Sequence, residues 1–481
     1  MMYPSIIPAP SKVALLGGML IGKINVEKIT DTNMKPEAYE ITVKEKITVK
    51  ASTDAGFYYA DLTINQLRSQ YDDCIPFMII EDEPRFDYRA VMMDCCRHFF
   101  TVDEVKKMID LSSSFKFNKF HWHLSEDQGW RIEIEKYPQL TKIGSVRHGS
   151  YFGSETNEKD YGGYYTKAEM KEIVAYAAAH HMEVIPEIDV PGHASGLLAA
   201  MPELTCTGEK VDVKRTAGIF WDLLCAGNEK SYEVIFDIID ELCDIFPGEY
   251  FHVGGDEAPK LQWMQCEKCQ AKMKELGLKD EEELQGYFVN RVSDYLRSKG
   301  KTVISWNESL KGGNVSEENV IQLWMDKEKL CEKSNNRIII SDFYHYYMDY
   351  PYEMTPLKKV YSYDDKVNGK VIGVETPIWC EYIPDLSRMI YLCYPRFIAV
   401  AQNGWCCNKP DYETFEKDLL TVMKMYDTSE WAPKEVWNRP LPIRQVKTAF
   451  RFIGTLNREF AAKLIDDRKK HKQMDEIKKN R

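Results

Sequence analysis

The sequence predicts an α/β protein: a (β/α)8 TIM barrel preceded by a small α+β domain and followed by a C-terminal helical extension. Three observations carry this. The first 84 residues alternate polar and apolar positions, as half-exposed strands do. From residue 85 the pattern changes to eight short apolar runs separated by amphipathic helical stretches. Strands alternating with helices imply right-handed βαβ units and a parallel sheet, and eight such units over 85–435 fit a closed barrel with insertions.

The elements follow in chain order. The stretch 13–22, VALLGGMLIG, follows a single Lys12 and precedes Lys23 and Lys28 with no A-x-A pattern. It reads as a hairpin strand broken at Gly17-Gly18 rather than a secretory leader. Tyr39-Glu40-Ile41-Thr42-Val43 and Ile47-Thr48-Val49-Lys50 read as strands, 58–70 as a helix, and Asp82-Glu83-Pro84-Arg85 as a boundary. The eight apolar runs are 90–95, 119–124, 182–190, 250–254, 302–306, 320–324, 337–344 and 371–379. Two intervening helices open with capping boxes, Thr101-x-x-Glu104 and Thr166-x-x-Glu169. An open doubly wound sheet is the alternative, but the first strand-to-helix turn carries no glycine-rich phosphate fingerprint. The remainder, 436–481, reads as helical, with the basic run Arg468-Lys469-Lys470-His471-Lys472 as a solvated helix end.

Composition narrows the function. Hydrophobic residues make up 44% and charged residues 29%, as in a globular chain with a large core. Lys+Arg of 63 against Asp+Glu of 75 gives a net charge of −12, which argues against nucleic acid as a partner. No apolar run reaches the roughly 18 residues that span a bilayer. Thirteen cysteines, an odd count without framework spacing, point to a reducing compartment. The expectation is cytoplasmic for the chain as it stands, and periplasmic or secreted if a leader was removed before residue 1. Cys266-x-x-Cys269 has no second C-x-x-C to complete a zinc site and reads as a pair of helix-surface thiols. No metal and no cofactor are expected.

The strand ends share a chemistry. In order they carry Arg97-His98, His121-Trp122-His123 with Glu126-Asp127, Glu187 and Asp189 with His193, His252 with Asp256-Glu257, Trp306-Asn307-Glu308, Trp324, Tyr347 with Asp349, and Trp379 with Glu381. In a barrel all eight C-terminal ends face one mouth, so these groups converge. Carboxylates mixed with Trp and Tyr suit a sugar, whose C–H faces pack on rings while its hydroxyls bond charged groups. His121 and His123 share a strand face and are the competing metal-ligand reading. In Phe251-His252-Val253-Gly254-Gly255-Asp256-Glu257, two glycines at a strand end permit a sharp turn before adjacent carboxylates. Such a pair is a poor match for two carboxylates facing each other across a glycosidic bond, and suits a substrate that supplies its own nucleophile.

The strings DCCRHFF (94–100), FHWHLSEDQGWRIEI (120–134), EVIPEIDVPGH (183–193), HVGGDE (252–257) and WCEY (379–382) resemble glycoside hydrolase family 20, the β-N-acetylhexosaminidases. The first domain also resembles the small α+β domain that precedes the barrel in that family. The resemblance implies an exo-acting, retaining enzyme that removes terminal GlcNAc or GalNAc from glycans or oligosaccharides with the 2-acetamido group as nucleophile. It implies Glu257 as general acid and then base, Asp256 orienting the acetamido group, and Tyr347 bonding the acetamido oxygen. Trp306, Trp324 and Trp379 would wall the pocket, Arg97, Glu381 and Asp349 would meet ring hydroxyls, and Glu126 would partner Arg97. Asp189, His193 and His252 would support the carboxylates from behind. Two positions depart from the family's usual pattern: Glu126-Asp127 stands where Asp-Asp is common, and Gln402 stands where Glu is usual, implying altered packing. The rival readings are a sugar-binding relative with a dead site, a lacto-N-biosidase-like disaccharide-releasing enzyme, and a metal-dependent hydrolase using His121 and His123.

Overall fold

The computed structural model describes residues 3–438 other than 23, 73, 154 and 365–369, together with 443, 447 and 458–480. The small domain is a five-stranded sheet of β1 (Lys12–Ile21), β2 (Val26–Thr30), β3 (Tyr39–Val43), β4 (Ile47–Ala51) and β5 (Cys74–Asp82) in the order β1-β5-β3-β4-β2. Along β3 and β4 alternate residues are buried, because one face packs under helix α1 (Asp54–Tyr71). α1 starts four residues earlier than the hydrophobic pattern shows, where Thr53 accepts the Gly56 N–H as N-cap.

The expected break at Gly17-Gly18 does not occur. β1 runs through it with a bulge and pairs antiparallel with β5 instead of folding back as a hairpin. Gly18 sits at φ +117°, and a Cβ there would lie 2.6 Å from the Phe77 ring, so the glycine admits the bulge and the ring together.

Eight parallel strands close the barrel: β6 (Tyr88–Asp94), β7 (Lys119–His123), β8 (Glu183–Glu187), β9 (Tyr250–His252), β10 (Thr302–Trp306), β11 (Val320–Leu323), β12 (Arg337–Ile340) and β13 (Lys370–Ile378). β13 pairs back on β6 from Gly373↔Tyr88 to Ile378↔Met93 and completes the ring. The principal outer helices include α2 (Val102–Ser113), α3 (Lys167–Ala179), α4 (Glu229–Cys243), α5 (Glu267–Leu276), α6 (Glu281–Ser298) and α7 (Arg396–Trp405). The predicted capping boxes open α2 and α3: Glu104 accepts the Thr101 N–H at 2.7 Å, and Glu169 accepts that of Thr166 at 2.8 Å.

The barrel interior is layered. Near the strand starts it is apolar, with Tyr88, Ala90, Ile185, Ile304, Val320 and Ile339 packed together. Nearer the strand ends it becomes polar, with His121, Glu187, His252, Gln322 and Glu375 fully buried. Polar groups therefore accumulate toward one end, as the strand-end residues predict.

The small domain is joined to the barrel by buried charge. Asp82, at the end of β5, accepts hydrogen bonds from Lys116 Nζ at 3.0 Å, Tyr39 Oη at 2.5 Å and Trp405 Nε1 at 3.0 Å. Gln402 on α7 is buried and accepts the Ala9 N–H at 3.0 Å, so this departure from the usual Glu ties the N-terminal segment to the barrel. His181 is half-buried with its ring 4.9 Å from that of Tyr58 on α1.

The last described helix, α8 (Arg458–Lys479), lies against the loop before α4, where Asp467 accepts the Trp221 indole N–H at 2.8 Å. Arg468, Lys469 and Lys472 of the basic run are exposed, while His471 meets Trp221 edge-on at 4.8 Å. Of the predicted extension, 439–442, 444–446, 448–457 and 481 lie outside the described residues. No described helix is long and apolar enough to cross a membrane.

Replacing Asp82 with Asn leaves the Lys116 ammonium buried without its counter-charge. This should lower unfolding stability by about 3–5 kcal/mol, read from the urea midpoint; an unchanged midpoint would show that the junction does not depend on this pair.

Candidate active site

The site grows from one backbone turn. After β9 the chain passes through Gly254 at φ +67°, Gly255 at +97° and, past Asp256, Glu257 at +42°. A Cβ on Gly254 would lie 1.8 Å from Asp189 Oδ1, and the Gly255 N–H donates to that same oxygen at 3.1 Å. Only glycine lets the backbone pass this close to a buried carboxylate. Glu257 and His193, at φ +47°, are non-glycine residues in the left-handed region, a strain that surrounding contacts must hold. The turn brings the side chains of Asp256 and Glu257 into one cavity of about 290 Å³.

Strand ends supply the walls. Arg97, after β6, is fastened by four partners: Asp94 at 3.3 Å, Glu126 at 3.1 Å, the Gln128 side-chain oxygen at 3.0 Å, and Glu381 at 4.0 Å. Its guanidinium stacks 4.9 Å from the Trp379 ring centre. The extra methylene of Glu126 is thus accommodated: one oxygen meets Arg97 and the other accepts from His193 Nδ1 at 2.7 Å. His193 Nε2 in turn lies 3.5 Å from Glu257 Oε2. Opposite stand Trp324 and Tyr347, near-parallel with ring centres 6.3 Å apart. Asp349 and Glu381 line the same cavity.

One expected residue sits elsewhere. Trp306, expected as a pocket wall, is completely buried below the cavity. Its N–H donates to Glu187 Oε1 at 3.1 Å and its ring lies 6.0 Å behind that of Trp379. As the last residue of β10 it points into the barrel, where the carboxylate fixes it. His252, expected to support the carboxylates from behind, is fully buried, 2.8 Å from Glu187 Oε1 and stacked on His121 at 4.6 Å, and its Nδ1 accepts the Gly254 N–H of the turn at 3.0 Å.

Glu187 organises that floor, accepting hydrogen bonds from His123 and Trp306 and facing His121 at 3.1 Å and His252 at 2.8 Å. Burial pushes its carboxyl up, but the surrounding histidines hold it well below the usual range. His121 Nδ1 also contacts Glu375 at 2.8 Å and His123 Nε2 contacts Glu126 at 3.1 Å, so each ring lies between two carboxylates. This employs the histidines that otherwise invite a metal reading.

The cavity has an unusual electrostatic state. Burial, joined by the neighbouring Glu257 and Glu187 carboxylates and opposed by His193, pushes Asp256 up to about 7. Burial and the adjacent Asp256 push Asp189 well up. Burial and Glu381 raise Asp349 to about 8. Burial raises Tyr347 far above the ordinary phenol range, so it remains a hydrogen-bond donor. Despite burial, Glu126 is held well below the usual range by Arg97 and His193. Among the described residues, Asp256 Oδ1, Trp324 Nε1 and Asp349 Oδ1 are buried polar atoms of the cavity with no partner. Unpaired buried groups are rare and expensive, and here they converge on one space.

Sequence reasoning missed Asp94 and Gln128 as anchors of Arg97. It also missed Phe343, Tyr350, Tyr382, Ala217, Gly218 and Phe460 around the mouth. Tyr350 and Tyr382 adjoin the predicted Asp349 and Glu381 and were within reach of the strand-end argument. Ala217, Gly218 and Phe460 come from a long loop and from α8, which carry no strand-end signal. The reading of Cys266 and Cys269 as surface thiols is also corrected: both are buried, facing Cys206 and Cys225. A spacing search cannot find partners contributed by separate loops.

The family model described as "Glycosyl hydrolase family 20, catalytic domain" matches residues 86–408, and that for "Glycosyl hydrolase family 20, domain 2" matches 19–83. A beta-hexosaminidase of Porphyromonas gingivalis is 37% identical over 418 residues, covering 80% of this chain; the chain spans about half (53%) of that relative's length. The crystal structure of a beta-N-acetylhexosaminidase superposes with a TM-score of 0.83 at 31% identity, covering 89% of this chain and 97% of that one. A family 20 exo-beta-N-acetylglucosaminidase from Vibrio harveyi, in complex with N-acetylglucosamine, gives 0.77 at 28% identity over 90% of this chain and 79% of that one. With both family models matched in order and the barrel in place, the chain belongs to glycosyl hydrolase family 20.

Proposed function

We propose that the chain is a retaining exo-β-N-acetylhexosaminidase that removes terminal β-linked GlcNAc or GalNAc from glycans or oligosaccharides. The observation that carries this reading is the pair Asp256 and Glu257, adjacent in sequence and lining one cavity, with Asp256 Oδ1 unpartnered. An acetamido group fixed on the sugar needs an acceptor for its N–H and a separate acid for the leaving oxygen. Asp256 and Glu257 suit those two tasks.

In the first step the acetamido oxygen attacks C1 while the Glu257 carboxyl donates its proton to the departing glycosidic oxygen. The C1–O bond breaks and an oxazolinium ring forms. The Asp256 carboxylate accepts the acetamido N–H and stabilises the positive charge, and the Tyr347 hydroxyl donates to the acetamido oxygen. In the second step Glu257, now a carboxylate, removes a proton from water as it attacks C1, opening the ring with net retention. Intramolecular attack by a well-oriented group relieves up to ~7–11 kcal/mol of the barrier. Glu257 is suited to both proton transfers, since its side chain is 30% exposed at the mouth and can meet leaving group and water. Arg97 offers a charged partner and Asp349 and Glu381 carboxyl partners to the ring hydroxyls, and Trp324 and Trp379 flat faces to its C–H groups. Thirteen free cysteines support work in a reducing compartment.

Three outcomes follow. Glu257→Gln should lower turnover of an aryl N-acetylglucosaminide by about 10²–10⁴-fold with the fold intact by circular dichroism; near-normal turnover would remove Glu257 from the acid role. A thiazoline mimic of the cyclised intermediate should inhibit competitively and more tightly than the product sugar, and absence of inhibition would count against acetamido participation. Asp256 titrates near 7 in the fold against about 3.9 in the unfolded chain. Its charged form therefore destabilises the fold increasingly from pH 4 to 7 and fully above. Asp256→Asn should melt at higher temperature than the parent at pH 8 and alike at pH 4, while kcat/KM of the parent rises with pH through about 7. A variant less stable at both pH values would contradict the buried-charge account.

A further inference from the structure

The geometry points to a second, non-catalytic site: a tetrahedral zinc centre held by the thiolates of Cys206, Cys225, Cys266 and Cys269. All four sulfurs lie within 4.8 Å of one another. The separations Cys225–Cys266 and Cys225–Cys269 are 3.7 Å, and Cys206–Cys269 is 3.9 Å. A zinc–sulfur bond of about 2.3 Å places the corners of a regular tetrahedron about 3.8 Å apart. Disulfide sulfurs stand about 2.05 Å apart, and two disulfides would sort the four into two close pairs. Here Cys225 is equidistant from two partners, as in a shared centre.

The surrounding backbone builds the site rather than merely permitting it. Cys266 and Cys269 form a C-x-x-C turn where α5 begins, with Cys266 as its N-cap, and a position at a helix start favours thiolate. Cys206 and Cys225 are brought side by side by the bridge Thr205↔Leu224 and by the Cys225 N–H donating to Leu204 O at 2.8 Å. The two halves are then clamped together. Trp263 Nε1 donates to Leu224 O at 2.9 Å, and a Cβ on Gly227 would sit 2.3 Å from the Lys268 carbonyl carbon. Cys225 and Cys269 are fully buried, Cys266 is 7% exposed and Cys206 is half-buried, which leaves a path for the ion. Zinc is the ion that four thiolates in a tetrahedron suit best, and four thiols release their protons as it binds.

The centre would act on structure. It joins the loop carrying Ala217 and Gly218, which line the sugar cavity, to the segment that follows Glu257. It does not touch the cavity, so its loss should reach catalysis only through the loop.

The test is elemental analysis of the full chain expressed in zinc-supplemented medium and desalted without chelator. The expected result is about one zinc per chain, released by a mercurial thiol reagent and reported by a chromogenic chelator. The double variant Cys225→Ser/Cys269→Ser should purify without zinc. Cobalt-grown protein should show the intense visible bands of tetrahedral cobalt thiolate, a signature that buried packing thiols do not produce. Sub-stoichiometric metal in the wild type, iron in place of zinc, or mass-spectrometric detection of disulfides among these four would each overturn the assignment.

Discussion

Adjacent residues on a regular strand point to opposite sides, yet the chemistry proposed here needs Asp256 and Glu257 in one cavity. The left-handed path through Gly254, Gly255 and Glu257 resolves this, and much of the site is arranged around it. Gly254 must lack a side chain because Asp189 stands against it; Asp189 in turn holds the Gly255 amide. His193, itself in the left-handed region, reaches both Glu126 and Glu257 and so links the turn to the anchorage of Arg97. A change anywhere along this chain of contacts moves the carboxylates relative to each other.

The barrel beneath supplies rigidity at an electrostatic cost. Glu187 gathers His121, His123, His252 and Trp306 into a dry floor whose charges compensate one another. Above it burial wins over the nearby cations: Asp189, Asp256, Asp349 and Glu381 are all pushed up, although Arg97 and His193 stand among them. This contrast separates scaffold from site. Unpaired buried acceptors are costly, and on the proposed reading those of the cavity are satisfied by the hydroxyls and amide of a bound sugar.

The fold was legible because parallel strands covered on both faces leave continuous apolar runs, and each predicted run overlaps one observed strand. The site was legible for a related reason: a barrel sends all its strand ends to one mouth, so chain order substitutes for three-dimensional proximity. Where that rule lapses, so did the reading. Trp306 is a strand-end residue whose side chain turns inward to Glu187, a direction that periodicity does not encode at a strand's last position. Gly17-Gly18 looked like a break, yet β5 offered a partner across the bulge. Phe460 and Ala217 reach the mouth from segments far from any strand end. Cys206 and Cys225 meet the C-x-x-C turn only because two loops fold together.

The central claim is that the sugar's own acetamido oxygen attacks C1 while Asp256 steers it. The most direct measurement is the hydrolysis rate of aryl glycosides whose acetamido methyl carries zero, one, two or three fluorines, with the leaving group held constant. Each fluorine withdraws electrons from the carbonyl oxygen while barely changing the size of the group. The account predicts kcat/KM falling steeply and progressively along the series. Rates that stay level would contradict it, since an enzyme carboxylate or water attacking C1 directly would be little affected by the amide's nucleophilicity.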